Sequence, residues 1–226
     1  MQPLDVRVVR VPGYSLSFDL PALPYFEPGM GSVIHEQEKI TSDACSEEYH
    51  DVEKISLIES KAPELVAVVY LLTRDNYDKL IISEGGDSSY KQIEVQTFPI
   101  DGKDSSPITG WMLQGKRPRW NPTPLPSKRY VGLIKSGAAQ HNFPDQYLDW
   151  LNSVEYFEIK PLDIRKQAGR IVFGSIWIPP VVCVISLQKV FGRNKLIKRI
   201  SRSIFGAMWY SHDKFFCKVF GSGDVN

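Results

Sequence analysis

The segment Leu71-Leu-Thr-Arg-Asp-Asn-Tyr-Asp-Lys-Leu-Ile-Ile-Ser-Glu84-Gly85-Gly86 carries the side chain best suited to chemistry in this chain. A carboxylate stands there at the end of a helical pattern, against a glycine turn, between apolar stretches. Burial at such a point disfavours the charged form and raises the carboxyl pKa, which suits Glu84 to moving a proton near neutral pH. The same pattern also fits a solvated glutamate closing a helix. Other chemistries find less support. The histidines at 35, 50, 141 and 212 read as four unrelated residues without metal-ligand spacing, so no metal site is expected. No Gly-x-Ser-x-Gly elbow occurs. Gly110-Trp-Met-Leu-Gln-Gly115-Lys116 matches the start of a phosphate-binding loop, but Arg117 stands where Ser or Thr must hold magnesium.

The elements that must position Glu84 follow from periodicity. Leu65 to Leu72 is a short apolar run rich in β-branched residues and predicts a buried strand. Thr73 or Asp75 then caps a helix with Tyr77, Leu80 and Ile81 on one face, stopping at Glu84-Gly85-Gly86. Tyr90 to Phe98 alternates as a strand. Upstream, Val6–Val11 and Ser15–Phe18 alternate on either side of Pro12-Gly13. Pro21 to Gly31 reads as a loop, Ser32-Val33-Ile34 as a short strand, and Thr41 to Ser60 as an acidic surface loop. Downstream, Pro118 to Pro126 is a proline-rich loop. Ser127 to Ala139 predicts a helix with Tyr130, Leu133 and Ile134 on one face, ending at Gly137. Pro144 to Phe157 predicts another. Strands and helices mix without strict alternation, which argues α+β rather than a doubly wound sheet.

The last third differs in charge. Residues 1–163 hold 16 Lys and Arg against 24 Asp and Glu, a net of −8, whereas residues 164–226 hold 11 against 2, a net of +9. Ile171 to Leu187 carries no charge, and Pro179-Pro180 in its middle would kink or break a helix. Lys195, Lys198, Arg199 and Arg202 then interleave with Ile197, Ile200, Ile204 and Met208 as a basic amphipathic helix. An apolar run beside that helix points to an anionic membrane surface, in an interfacial or re-entrant placement, rather than to nucleic acid. Two regions are expected: a domain over 1–162 and a hydrophobic and basic extension over 163–226. With 42% hydrophobic and 23% charged residues, disorder is not the default. Three cysteines, at 45, 183 and 217, form no disulfide framework, and no signal peptide opens the chain. Both features point to the cytosol, with the extension as a membrane attachment.

Two blocks carry a resemblance. Ala67-Val-Val-Tyr70, a helix, Glu84-Gly85 and Tyr90-x-x-x-Glu94-Val95 resemble the central block of γ-glutamylcyclotransferases, with Ala67 in place of the family's usual Gly. Pro126-Ser127-Lys-Arg-Tyr130-Val-Gly-Leu-Ile134-Lys-Ser-Gly137-Ala138 resembles that family's Pro-Ser-x-x-Tyr-x-x-x-Ile-x-x-Gly-Ala segment. Leu16 to Pro28 and the apolar, basic extension look like fungal members. The resemblance implies a small mixed β-barrel with flanking helices. It implies conversion of γ-glutamyl peptides or glutathione-derived adducts to 5-oxoproline and a free amine, in glutathione turnover or in fungal sulfur-containing toxin metabolism. Glu84 becomes the catalytic acid and base, Tyr130 a substrate-binding hydroxyl and Tyr90 a pocket wall. The family's opening strand ends in Tyr-Gly-Ser-Asn-Leu, whose N–H groups hold the γ-glutamyl moiety. That motif does not occur here, so the resemblance implies an N-terminally incomplete barrel. A competing class is a non-catalytic membrane-surface module built on the same fold.

Overall fold

The computed structural model describes residues 2–36, 62–83, 89–100, 102, 106–120, 122–191 and 194–226. The predicted acidic loop over Thr41 to Ser60 lies outside the described residues, as does Glu84.

Six strands form two antiparallel units. β1 (Asp5–Val11), β4 (Leu65–Leu71), β5 (Tyr90–Pro99) and β6 (Ile108–Gly115) make a four-stranded sheet in the order β4-β1-β5-β6. β2 (Tyr14–Leu23) and β3 (Glu27–His35) form a hairpin. The curled sheet and the hairpin make a half-barrel with helices on its flanks, so the α+β class is borne out. Pro12-Gly13 turns the chain between β1 and β2 as expected, and Gly13 adopts φ +76°, which glycine takes without steric cost.

Several elements depart from the sequence reading. Pro21 to Gly31 is not a loop: β2 runs to Leu23 and β3 begins at Glu27, with a register shift between Ser17 and Leu20. The prolines are tolerated because each strand of the hairpin has an unpaired side. Leu65–Leu71 is half-buried rather than buried, because β4 pairs only with β1 and forms the sheet edge. Ala67 and Val69 pack on the core between sheet and hairpin, and Val66 packs on Ala138, Tyr147 and Leu151 on the other side. Gly110–Gly115, which resembles a phosphate loop, lies within β6 and pairs residue by residue with β5.

α1 (Arg74–Ser83) starts where Thr73 Oγ1 accepts the Asn76 N–H at 3.3 Å, as its capping role predicts. α2 (Lys128–Gln140) is capped by Ser127 and continues through Gly137 to Gln140. It buries Val131 and Ala138, with Ile134 partly covered, whereas Leu133 points to solvent. α3 (Asp145–Ser153) is shorter than expected. Val154 is extended, and Phe157 is recruited into a bridge with Ser127, so Val154 to Phe157 leave the helix.

Two cores result. Val9, Val11, Val33, Leu65 and Val95 fill the space between sheet and hairpin. Ala138, Tyr147 and Leu151 pack with Val66 and Leu16 on the outer side.

Residues beyond 162 form α4 (Ile164–Phe191), α5 (Lys195–Ser211), a π-helical turn (His212–Phe216) and α6 (Cys217–Phe220). Contrary to expectation, Pro179 and Pro180 do not break α4. Adjacent prolines confine the lost donors to one turn, freeing the carbonyls of Ser175 and Ile176. Both flanks are held by packing: Phe173, Val181 and Val184 lie on a buried stripe. Phe173 and Val181 meet Tyr25 of the hairpin tip and Met208 and Trp209 of α5 in a third core. The Ile164–Gln188 stretch has the length to cross a membrane; its most apolar 18-residue window has mean hydropathy 1.9, and 22% of that window is buried in the fold.

Candidate active site

Gly31 and Ser32 on β3 are the point where hairpin, sheet and helix meet. Tyr130, in the first turn of α2, accepts the Gly31 N–H on its hydroxyl oxygen at 3.2 Å. Tyr90, the first residue of β5, donates its hydroxyl to the Gly31 carbonyl at 3.3 Å. Gly115, directly opposite Tyr90 across the β5–β6 ladder, donates its N–H to Ser32 Oγ at 2.9 Å. The two tyrosines singled out in the sequence are therefore brought together, from positions forty residues apart, on one backbone residue.

The local sequence explains why Tyr130 points there. Ser127 Oγ accepts the Tyr130 N–H at 3.1 Å, which fixes the first turn of α2. The same hydroxyl donates to Glu27 Oε2, and Arg129 Nε donates to Glu27 Oε1 at 2.7 Å. Glu27 opens β3, so this carboxylate ties the helix start to the strand that carries Gly31. Just upstream, Leu125 O accepts the Gly29 N–H at 3.1 Å. A Cβ at Gly29 would lie 2.5 Å from Pro124 O and 2.8 Å from Phe18 O, so only glycine admits the Pro-rich segment this close. At Gly31 an added Cβ would come within 2.9 Å of the Tyr130 hydroxyl. Phe18 packs edge-on against the Tyr130 ring at 6.4 Å between centroids.

β2 lines this region with polar groups. Ser15, Ser17 and Asp19 are buried, as is Ser32 on β3 and Gln114 on β6, while Leu16 and Phe18 are only partly covered. A row of buried polar side chains costs stability unless it is satisfied, and it suits a wall that must receive a polar ligand.

Glu84 follows Ser83, the last residue of α1, and precedes Tyr90 by six positions, but it lies outside the described residues. α1 is fastened to β5 by Tyr77, whose hydroxyl donates to Gln92 Oε1. The sequence reading missed Gly29, Gly31, Ser32, Glu27 and Gly115. Gly29-Met-Gly31 reads as part of a loop, and Ser32 as the start of a short strand, because their role here is close backbone approach, which has no side-chain signature.

Comparison with known proteins bears on this arrangement. No family model matches the chain. It is 32% identical over 235 residues to the γ-glutamyl cyclotransferase gliK of Aspergillus fumigatus, covering 99% of this chain and 82% of that protein. The chain belongs to the γ-glutamyl cyclotransferase family. Further relatives in the family are the γ-glutamyl cyclotransferase aclK of Aspergillus oryzae, 26% identical over 98% of this chain and 82% of that one, and gliK of Claviceps purpurea, 27% identical over 99% and 94%. A solved γ-glutamyl cyclotransferase structure superposes with a TM-score of 0.50 at 18% identity, covering 68% of this chain and 76% of that one, which shows the shared family fold.

Proposed function

We propose that the protein is an active γ-glutamyl cyclotransferase that releases 5-oxoproline and a free amine from γ-glutamyl peptides or glutathione-derived adducts. The observation that carries this reading is the convergence of Tyr90 and Tyr130 on the Gly31 peptide, beside a buried polar wall, in a chain of this family.

In this mechanism the substrate's α-amine attacks its own γ-carbonyl. Closing a five-membered ring needs only the right conformer, so much of the barrier is met by positioning. Glu84 takes a proton from the α-ammonium and hands one to the departing nitrogen as the γ-amide bond breaks. The Tyr130 hydroxyl binds the glutamyl moiety, and Tyr90 closes one wall of the pocket. No step needs a cofactor. The catalytic part is residues 1–162, and residues 163–226 are an extension of it. The substrate class suits glutathione turnover or the processing of glutathione adducts in fungal sulfur-containing toxin synthesis.

The test is the product. Purified protein incubated with γ-glutamyl-alanine or glutathione should form 5-oxoproline and free amine in equal amounts. Glutamate in place of 5-oxoproline would mean that water is the nucleophile and would overturn the cyclisation reading.

A second reading concerns location. Ile171, Ile176, Val182 and Ile185 expose apolar surface on α4, and Lys195, Arg199 and Arg202 are exposed on α5. Apolar and cationic surface side by side supports docking on an anionic cytoplasmic membrane face.

A further inference from the structure

His212 is fully buried: the rings of Tyr25, Phe173 and Trp209 pack edge-on against it, and polar groups meet its two nitrogens. It opens a π-helical turn, in which the Cys217 N–H bonds to the His212 carbonyl five residues back. On an α-helix, side chains five apart point in different directions. The wider turn rotates Cys217 onto the face of His212, so that Cys217 Sγ lies 3.3 Å from His212 Nε2. π turns are rare and concentrate at functional sites. From the chain's end Asp224, 1% exposed, brings Oδ1 to 4.0 Å from the same nitrogen. The ligand atoms of the three residues all lie within 4.8 Å of one another.

We propose that His212, Cys217 and Asp224 form a binding site for one divalent transition-metal ion, zinc by ligand preference, that fastens the C-terminal residues to the π-helical turn.

Three observations support it besides proximity. First, the histidine is oriented as metal-bound histidines are. Its Nδ1 is 2.9 Å from Asp213 Oδ1, and Asp213 is itself held by both terminal nitrogens of Arg119 at 2.9 and 3.0 Å. A carboxylate on Nδ1 fixes the tautomer and makes Nε2 the acceptor, with a lone pair that the Gly223 N–H holds here and an ion would take over. Second, the charges balance with a dication. Asp213, Asp224 and Arg119 sum to −1 with the thiol neutral. A dication that replaces the Cys217 proton brings these four side chains and the ion to zero. Third, Asp224 Oδ2 is buried without a hydrogen-bond partner, its ion-pair partner Arg119 Nη2 standing 3.8 Å away, while Oδ1 accepts from Ser222.

The backbone can accommodate the ion. Gly223 N–H donates to His212 Nε2 at 3.1 Å and also bonds Cys217. When Nε2 binds the ion, that N–H stays with the thiolate. Tetrahedral zinc with bonds of about 2.0–2.3 Å needs ligand atoms roughly 3.3–3.6 Å apart. Cys217 Sγ, 3.3 Å from Nε2 and 3.6 Å from Nδ1, lies beside the ring and must swing toward the Nε2 lone pair as Asp224 closes in. The same trio is not a thiol nucleophile. Burial first, then Asp224 and Asp213, push the Cys217 thiol up to about 11, whereas a nucleophile needs a lowered value.

Titration of chelator-treated full-length protein with zinc, and separately with cobalt, tests the site. The Cys45→Ser/Cys183→Ser double variant leaves Cys217 as the only cysteine. It should bind one equivalent, its cobalt form should show a thiolate-to-cobalt charge-transfer band, and its melting temperature should rise with zinc. Cys217→Ser and Asp224→Asn should weaken binding about 100-fold or more. Absence of one-equivalent binding, or a cobalt spectrum without the thiolate band, overturns the proposal even if the single-site variants fail to fold. Binding that persists unchanged in a folded Cys217→Ser protein overturns it as well.

Discussion

Gly29 and Gly31 lie two residues apart on β3, yet a methyl group would meet different obstacles at each. At Gly29 it would press on the backbone carbonyls of Pro124 and Phe18, which cannot move without shifting a strand and the Pro-rich segment. At Gly31 it would press on the hydroxyl at the end of the Tyr130 side chain. Gly29→Ala should therefore cost about 1–3 kcal/mol in a urea melt, the scale of overpacking. Gly110→Ala on β6, where an added Cβ meets nothing within 4 Å, should be near neutral. Equal effects would show that the close approach is not what glycine serves. At this scale the sequence was legible where a side chain acts and silent where a backbone does. Tyr90 and Tyr130 stood out through the family motifs. Their common partner, the Gly31 peptide, carries no side chain to reveal it.

At the scale of elements, local signals read well where a cap or a turn decides the structure. Thr73, Ser127 and Pro12-Gly13 each act as their chemistry predicts. Signals failed where tertiary packing outweighed them. Pro21, Pro24 and Pro28 suggested a loop, but the hairpin places them on strands or at its tip. Pro179-Pro180 suggested a break, but packing on both flanks keeps α4 continuous. α5 shows both sides of its pattern: Ile197, Met208 and Trp209 are buried, while Lys195, Arg199 and Arg202 face solvent. Its basic face makes the membrane reading testable. The full chain should float with anionic vesicles at low salt and be released at high salt, where screening shortens the reach of the charges. Reversing Lys195, Arg199 and Arg202 to Glu should abolish flotation. A wild-type chain that stays in the soluble fraction at low salt would contradict membrane docking.

For the molecule as a whole, the C-terminal residues close the structure on itself. Gly223 O accepts the Tyr25 N–H at 2.6 Å, Asp224 O accepts the Leu125 N–H at 2.8 Å, and Asn226 Nδ2 donates to Tyr156 O at 2.8 Å. Arg119 joins the Pro-rich segment to this end through Asp213 and stacks 4.5 Å over Trp209. Burial works against ionisation of Asp213, but its bonds to Arg119 and His212 outweigh it and hold the carboxyl below its ordinary range. A lowered folded-state pKa means stability that is present above the unfolded value and lost as pH falls through the folded one. With chelator present, the stability gap between wild type and Asp213→Asn should be full at about pH 6 and shrink below about pH 4. A gap independent of pH would remove the ion pair from the account. Nothing in the sequence announced this network, because its members come from the segment before α2, the end of α5, the π turn and the last four residues.

The central claim is that one carboxylate moves the proton while tyrosines on the β3 backbone hold the substrate. Glu84→Gln preserves size and hydrogen-bonding shape but cannot exchange a proton at this position. With γ-glutamyl-alanine or glutathione and detection of 5-oxoproline, the account predicts that kcat falls about 100-fold or more while KM and the melting temperature stay near wild type. A Glu84→Gln enzyme that turns over at the wild-type rate would contradict it.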